Sequence, residues 1–197
     1  MKPSRPAPHN RTHQAPGTLR SRFITDVGGI AAVELSLVIL PLFVLMMVIA
    51  EASLFVFAQQ QFDLSVQRAA RLLRTGTFQE EATGADPAQS LRGLLCGTGI
   101  RLYQCDEMRV DLVRTATFAI KQIAPAYDVG RGDWAAGFGT QFTCPSGGGI
   151  HVLRAAVPIL RPFSFLDFTG QRMPGGKQLL TATAVFRTED YADKPCA

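Results

Sequence analysis

Gly29-Ile30-Ala31-Ala32-Val33-Glu34-Leu35-Ser36-Leu37-Val38-Ile39-Leu40-Pro41-Leu42 opens a long apolar run directly after a basic N-terminal stretch. From Gly28 to Ala50 the only charged side chain is Glu34, and beyond Glu51 the apolar character resumes through Ser53-Leu54-Phe55-Val56-Phe57-Ala58. About 20 such residues in a helix cross the hydrocarbon core of a bilayer. The pattern therefore predicts a membrane helix over 30–58, continued by an amphipathic helix over 59–75. In the continuation Phe62, Val66, Ala69, Ala70 and Leu73 recur at helical spacing, while Gln67, Arg68, Arg71 and Arg74 supply a polar side. A stripe of this kind is expected to cover a sheet. Pro41 falls inside the apolar run, where it removes a backbone hydrogen bond and is expected to kink the helix. Membrane helices tolerate this better than soluble ones.

Glu34 admits two readings. An acid at mid-membrane costs roughly 2.5–3.5 kcal/mol, and less when it reaches the interface, as near the cytoplasmic end of an ordinary anchor. Alternatively the chain is cut after Gly29, and Glu34 becomes the fifth residue of a new N-terminus at Ile30.

Charge sets the expected topology. The sequence holds 20 basic and 16 acidic residues; the stretch up to Gly29 takes five of the cations (Lys2, Arg5, Arg11, Arg20, Arg22) and one anion (Asp26), leaving 15 of each. Cations flanking a first membrane helix favour the cytoplasmic side, which sends the C-terminal part across the inner membrane. The same split argues against nucleic-acid binding, since the excess charge is confined to the leader and no basic motif interleaved with aromatics follows. Residues 1–29 are too polar and proline-rich to form a core, and read as a disordered leader.

The four cysteines, Cys96, Cys105, Cys144 and Cys196, all follow the apolar helix. An even number in an exported domain points to two disulfides. Three pairings are open. Cys96–Cys105 with Cys144–Cys196 is favoured by ease of closure, because Gly97 and Gly99 lie in the short first loop. A short helix is expected from about Asp86, with Pro87 in its first turn and Leu91, Leu94 and Leu95 on one face. Strands are read at Met108–Leu112, 150–160 and 180–186 from their alternation. Between them, 119–149 is rich in glycine and carries Trp134, Phe138 and Phe142. It is either an exposed excursion offering a partner surface or a packed, irregular edge.

No catalytic constellation emerges. His151 is the one histidine after the leader and sits in a strand-like run, where a structural role is the common one. Ser146, His151 and Asp167 lack a nucleophile-elbow context. The glycines near 97–99 and 147–149 lack the lysine of a phosphate loop. Metal-ligand spacing is missing too, so no enzyme, cofactor, metal or small-molecule substrate is expected.

The junction Gly29-Ile30-Ala31-Ala32-Val33-Glu34 resembles the processing site of type IV pilin-like precursors, and the wider run through Leu42 resembles the opening of TadE-like pseudopilins. Ala184-Val185-Phe186-Arg187-Thr188-Glu189 resembles the strand that closes their periplasmic domain. Two positions depart from the pattern. Leu35 stands where the small major pilins carry an aromatic residue, and Arg187-Thr188-Glu189-Asp190 replaces a common Arg-Asn-Glu-Pro. The first departure points away from a major fibre subunit.

The resemblance implies an α+β, pilin-like, single-pass membrane protein whose long helix packs on a small antiparallel sheet. Its parts would be a leader over 1–29, the membrane helix, its amphipathic extension, and a periplasmic domain over 76–197. The resemblance further implies cleavage between Gly29 and Ile30 by a prepilin peptidase, with Gly28 an alternative position for the cut. Glu34 would then pair with the free amino group of a neighbouring subunit, and a buried charge becomes tolerable when paired. The implied partners are the inner membrane, other pilin-like subunits and the assembly platform of a tight-adherence (Flp) pilus, which a minor pseudopilin would prime or cap in the service of adhesion. The alternative is an uncleaved envelope protein anchoring a periplasmic binding domain.

Overall fold

The computed structural model describes residues 29–81, 86–97, 99, 101–118, 125–161, 163, 172–192 and 196; residues 1–28 of the leader over 1–29, and Asp167, lie outside them. The chain divides into two compact units, Met1–Met46 and Met47–Ala197. A single helix, α1 (Ile30–Thr75), runs unbroken through Pro41.

In the first unit every side chain described from Ala32 onward is exposed, Leu37 by 72%. A continuous apolar surface of this extent is incompatible with water and matches lipid, in which a helix satisfies its own backbone hydrogen bonds. The helix is long and apolar enough to cross a membrane.

The second unit is α+β. After α1 come α2 (Thr77–Glu81) and α3 (Pro87–Cys96), then β1 (Arg109–Thr115), β2 (Tyr127–Asp128), β3 (Asp133–Trp134), β4 (Ile150–Leu160), β5 (Arg172–Met173) and β6 (Lys177–Arg187). Four strands form an antiparallel sheet in the order β1-β4-β6-β5, and β2 pairs with β3 as a separate hairpin. Gly76, at φ 79°, provides the left-handed turn between α1 and α2. α2 buries Phe78 and Gln79. Asp86 caps α3 by accepting from Ala88 N at 3.0 Å, and Pro87 occupies the first turn, where its missing N–H costs nothing.

Strand alternation decides the core. Val110 and Leu112 of β1, Leu153, Ala155, Val157 and Ile159 of β4, and Leu180, Ala182, Ala184 and Phe186 of β6 share one cluster with Ala58, Phe62, Val66, Ala69, Ala70 and Leu73 of α1. Phe62 meets the Tyr103 ring edge-on at 5.3 Å. Leu91 and Leu95 of α3 close the same cluster. Pro158 is accommodated because its backbone nitrogen points away from β6: Thr188 N donates to Gly149 O at 2.9 Å, so odd-numbered β4 residues are the ones bonded to β6. On the other side of Pro158, β1 has already ended at Arg109, the partner of Ala156.

The described part of the glycine-rich segment, from residue 125, is packed over the opposite face of the sheet. Ala126, Tyr127 and Phe138 cluster with Ala156 and Leu179, with Trp134 half-buried beside them. Trp134 and Phe138 stack at 5.9 Å; Arg109 lies 4.7 Å from the Trp134 centroid and Arg154 5.0 Å from that of Phe138. Asp111, buried, accepts from Gly139 N at 2.9 Å and Gln141 N at 3.0 Å, which ties the loop to β1.

Candidate functional site on the N-terminal helix

Gly29 precedes the first turn of α1, and among the described residues nothing lies within 4 Å of where a Cβ would stand on it. One turn into the helix Glu34 is exposed and has no ionic partner among the described residues. Ser36 Oγ donates back to Val33 O at 2.8 Å, so this hydroxyl is satisfied within the helix and adds no polar surface to its apolar face. The arrangement is one carboxylate on an otherwise apolar rod, close to the rod's start. Such a group is costly in a bare hydrocarbon environment, and less so when paired with an opposite charge.

The second carboxylate of α1, Glu51, is placed differently. It is buried and accepts from Arg161 Nε at 2.8 Å, with Arg161 Nη2 at 2.7 Å from the same oxygen. Phe163 N donates to it at 3.3 Å, Arg161 Nη1 donates to Gln178 Oε1 at 2.5 Å, and the guanidinium sits 5.7 Å from the Phe55 centroid. Local sequence produces this site by periodicity. Glu51, Phe55, Ala58, Phe62, Val66, Ala69 and Leu73 are spaced by three or four, Arg161 follows Ile159 by two, and Gln178 precedes Leu180 by two. All three polar groups thus share the faces that make the core. In the sequence Glu51 reads only as an interruption of the apolar run. Residues 51–58, assigned there to the membrane helix, place Glu51 and Ala58 in the interior of the α+β unit.

The cysteines stand in the same unit. Cys96, at the end of α3, is bonded to Cys105, with 6.0 Å between their Cα atoms; Cys144 is bonded to Cys196 with 5.8 Å. His151 is fully buried on the core face of β4, stacked on Phe186 at 6.1 Å. Burial, with a smaller contribution from the Arg114 charge, holds its pKa below the ordinary 6.5; the Gly149 backbone acts in the opposite sense without making a regular hydrogen bond to either ring nitrogen. The imidazole is thus shut off from solvent among core residues. Among the described residues no group of three or more potential ligands could hold a metal ion.

A helix of membrane-spanning length, with one carboxylate near its start and a disulfide-bonded α+β domain beyond it, fits a single-pass membrane protein. Residues 29–71 match the family model TadE, described as TadE-like protein, and this segment is similar to that family. That likeness implies involvement in assembly of the tight-adherence pilus. The match starts at Gly29 and covers α1 almost to its end; Ala184–Glu189, which carried the second half of the resemblance, lies outside it. No curated protein and no solved structure matches the chain.

Proposed function

We propose that this protein is a minor pseudopilin of the tight-adherence pilus, made as a precursor and cut between Gly29 and Ile30 by a prepilin peptidase. The observation that carries the reading is the start of the family match at Gly29, the residue before the proposed new amino terminus. Cleavage there would remove the basic leader and leave Glu34 fifth in the mature chain, in reach of a neighbour's terminal ammonium. The pair would neutralise two charges that the bilayer penalises separately. The leader's cations favour a cytoplasmic N-terminus, with the α+β domain on the periplasmic side, where disulfides persist.

Because Glu51 belongs to the folded domain, the lipid-embedded part would be residues 30–50. At 1.5 Å per residue it rises about 31 Å, close to the roughly 30 Å of a hydrocarbon core. Pro41 would fall near the middle of that span and give the helix a point at which to bend as it packs beside equivalent helices. The protein would act by association, with the domain priming or capping the growing pilus.

The N-terminal sequence and intact mass of the protein, extracted from membranes with and without the prepilin peptidase, test this. The expected result is a peptidase-dependent start at Ile30. An intact leader in both strains would overturn the reading in favour of an uncleaved envelope anchor. With processing established, Glu34→Ala is expected to abolish pilus assembly at normal protein level and membrane insertion. Normal assembly would remove the pairing role.

A further inference from the structure

Among the described residues, one edge of the sheet lacks a neighbour over most of its length. β5 pairs with β6 only at Lys177 and Gln178, and no described strand accompanies 179–187 of β6 on that side. The hydrogen-bonded pairs of β6 with β4 involve its even-numbered residues, fixed by the Thr188 N to Gly149 O bond. Odd-numbered residues therefore turn their N–H and C=O groups to the open edge. Thr181 O already accepts from Gln59 Nε2 at 3.0 Å, which shows the direction and closes one end. At the other end Glu189 N donates to Arg74 O at 2.9 Å.

Between these two ties, α1 and the edge of β6 enclose a groove of about 600 Å³ lined by Ala70, Arg71, Arg74, Thr183, Val185 and Phe186, among others. On the helix side the lining runs from Gln67 to Thr75, about 12 Å along the axis, room for three or four residues in extended conformation at about 3.3 Å each. Edge strands are ordinarily protected by lysine, proline or a bulge. Residues 179–186 read Leu-Leu-Thr-Ala-Thr-Ala-Val-Phe without a charge or proline, and the register with β4 runs uninterrupted. On the helix side Arg71 is exposed and has no ionic partner among the described residues; Arg74 reaches Glu189 only at 3.6 Å, with both side chains more than half exposed.

We infer that this groove receives an extended, acid-bearing strand of a partner protein, which adds to the sheet beside β6 and meets Arg71 and Arg74 with its carboxylates. Backbone groups at Thr183 and Val185 would supply the affinity, and the arginines the choice of partner. A second copy of this chain is disfavoured as occupant, because pairing β6 with β6 would bring the two arginine walls together. The inference does not depend on the pilus reading.

The test uses the full chain in detergent micelles with two labelled probes, short synthetic peptides alternating valine with glutamate or valine with lysine. The glutamate peptide is expected to bind and to slow amide exchange at Thr183 and Val185; Arg71→Glu is expected to weaken it by about tenfold, or 1.4 kcal/mol. Val185→Pro is expected to abolish binding without lowering the unfolding midpoint, since that N–H makes no bond to β4. Equal binding of the lysine peptide, no binding at about millimolar concentration, or binding indifferent to Arg71→Glu would overturn the inference. Self-association abolished by Val185→Pro would also overturn it, by assigning the edge to a second copy.

Discussion

Arg161, just past the end of β4, lies with its Nη2 2.7 Å from Glu51 Oε1 of α1, and both side chains are only 4% exposed. This ion pair joins the helix to the sheet at the end of the domain nearest in sequence to the membrane segment. Desolvating two charges offsets most of their attraction, so the pair adds little compared with apolar residues of the same shape. Its effect is in selectivity of packing: neither charge can be buried without the other, so α1 is held in one rotational and axial register on the sheet.

Removing one partner should therefore be far worse than removing both. Glu51→Ala or Arg161→Ala is expected to destabilise the domain by about 3–5 kcal/mol, with Glu51→Gln intermediate because the amide retains an acceptor. Glu51→Leu combined with Arg161→Leu should recover much of the loss. Urea unfolding of the domain in micelles, followed by tryptophan fluorescence from Trp134, measures it; equal effects of single and double variants would show that the pair does not fix the register.

Two phenylalanine and leucine positions on α1 separate core from surface. Phe62 is fully buried, whereas Leu64, two residues on, is 57% exposed. Phe62→Ala is expected to cost about 3–5 kcal/mol through lost transfer energy and the cavity left beside Tyr103. Leu64→Ala should stay within about 0.5 kcal/mol. Comparable losses at both positions would mean that α1 packs on the sheet through a different face.

The helix was legible in the sequence, but the point from which it joins the protein core was not. Phe55 and Ala58 look the same in composition whether they meet acyl chains or a protein core, and the hydrophobic effect does not distinguish the two. What distinguishes them is Glu51, whose spacing from Phe55, Ala58 and Phe62 puts it on the buried stripe. Its partner Arg161 is 110 residues away and is fixed only by the register of β4. The strands and α3 followed from alternation and a capping signal. The covering of the outer face by Trp134 and Phe138 did not, because Arg109, Asp111 and Arg154 at alternate strand positions read as an ordinary solvent face. Only the folded loop turns these charges into ring contacts and backbone acceptors.

His151 gives the domain a pH dependence with a definite sign. Its folded pKa is lowered from 6.5, burial being the main cause. Below 6.5 the unfolded chain takes up a proton that the folded one refuses, so stability falls as pH drops through this value and continues to fall until the folded pKa is reached. Above 6.5 the residue contributes no slope. Unfolding midpoints between about pH 7 and pH 5 should decline for the native chain and flatten in His151→Phe, which preserves the stack on Phe186. An unchanged slope would assign the effect to carboxylates elsewhere.

The disulfides should contribute unequally. Cys144 and Cys196 are 52 residues apart in sequence, Cys96 and Cys105 only 9. If the bonds act chiefly by restricting the unfolded chain, the longer loop is worth about 1.5 kcal/mol more, from the logarithm of the loop-length ratio. The longer bond also anchors Cys196 near the turn at 146–149, where Gly147 allows a close approach: a Cβ there would stand 2.4 Å from the Tyr191 carbonyl. Replacing both members of each pair with serine and comparing unfolding midpoints under oxidising conditions separates the two contributions. The Cys144/Cys196 variant should be the less stable, and Gly147→Ala should lower stability even with both disulfides intact, because it strains a contact that the bond alone does not make. Greater loss from the Cys96/Cys105 variant would indicate that the short loop, which leads from α3 into β1, shapes the core more than the chain-entropy argument allows.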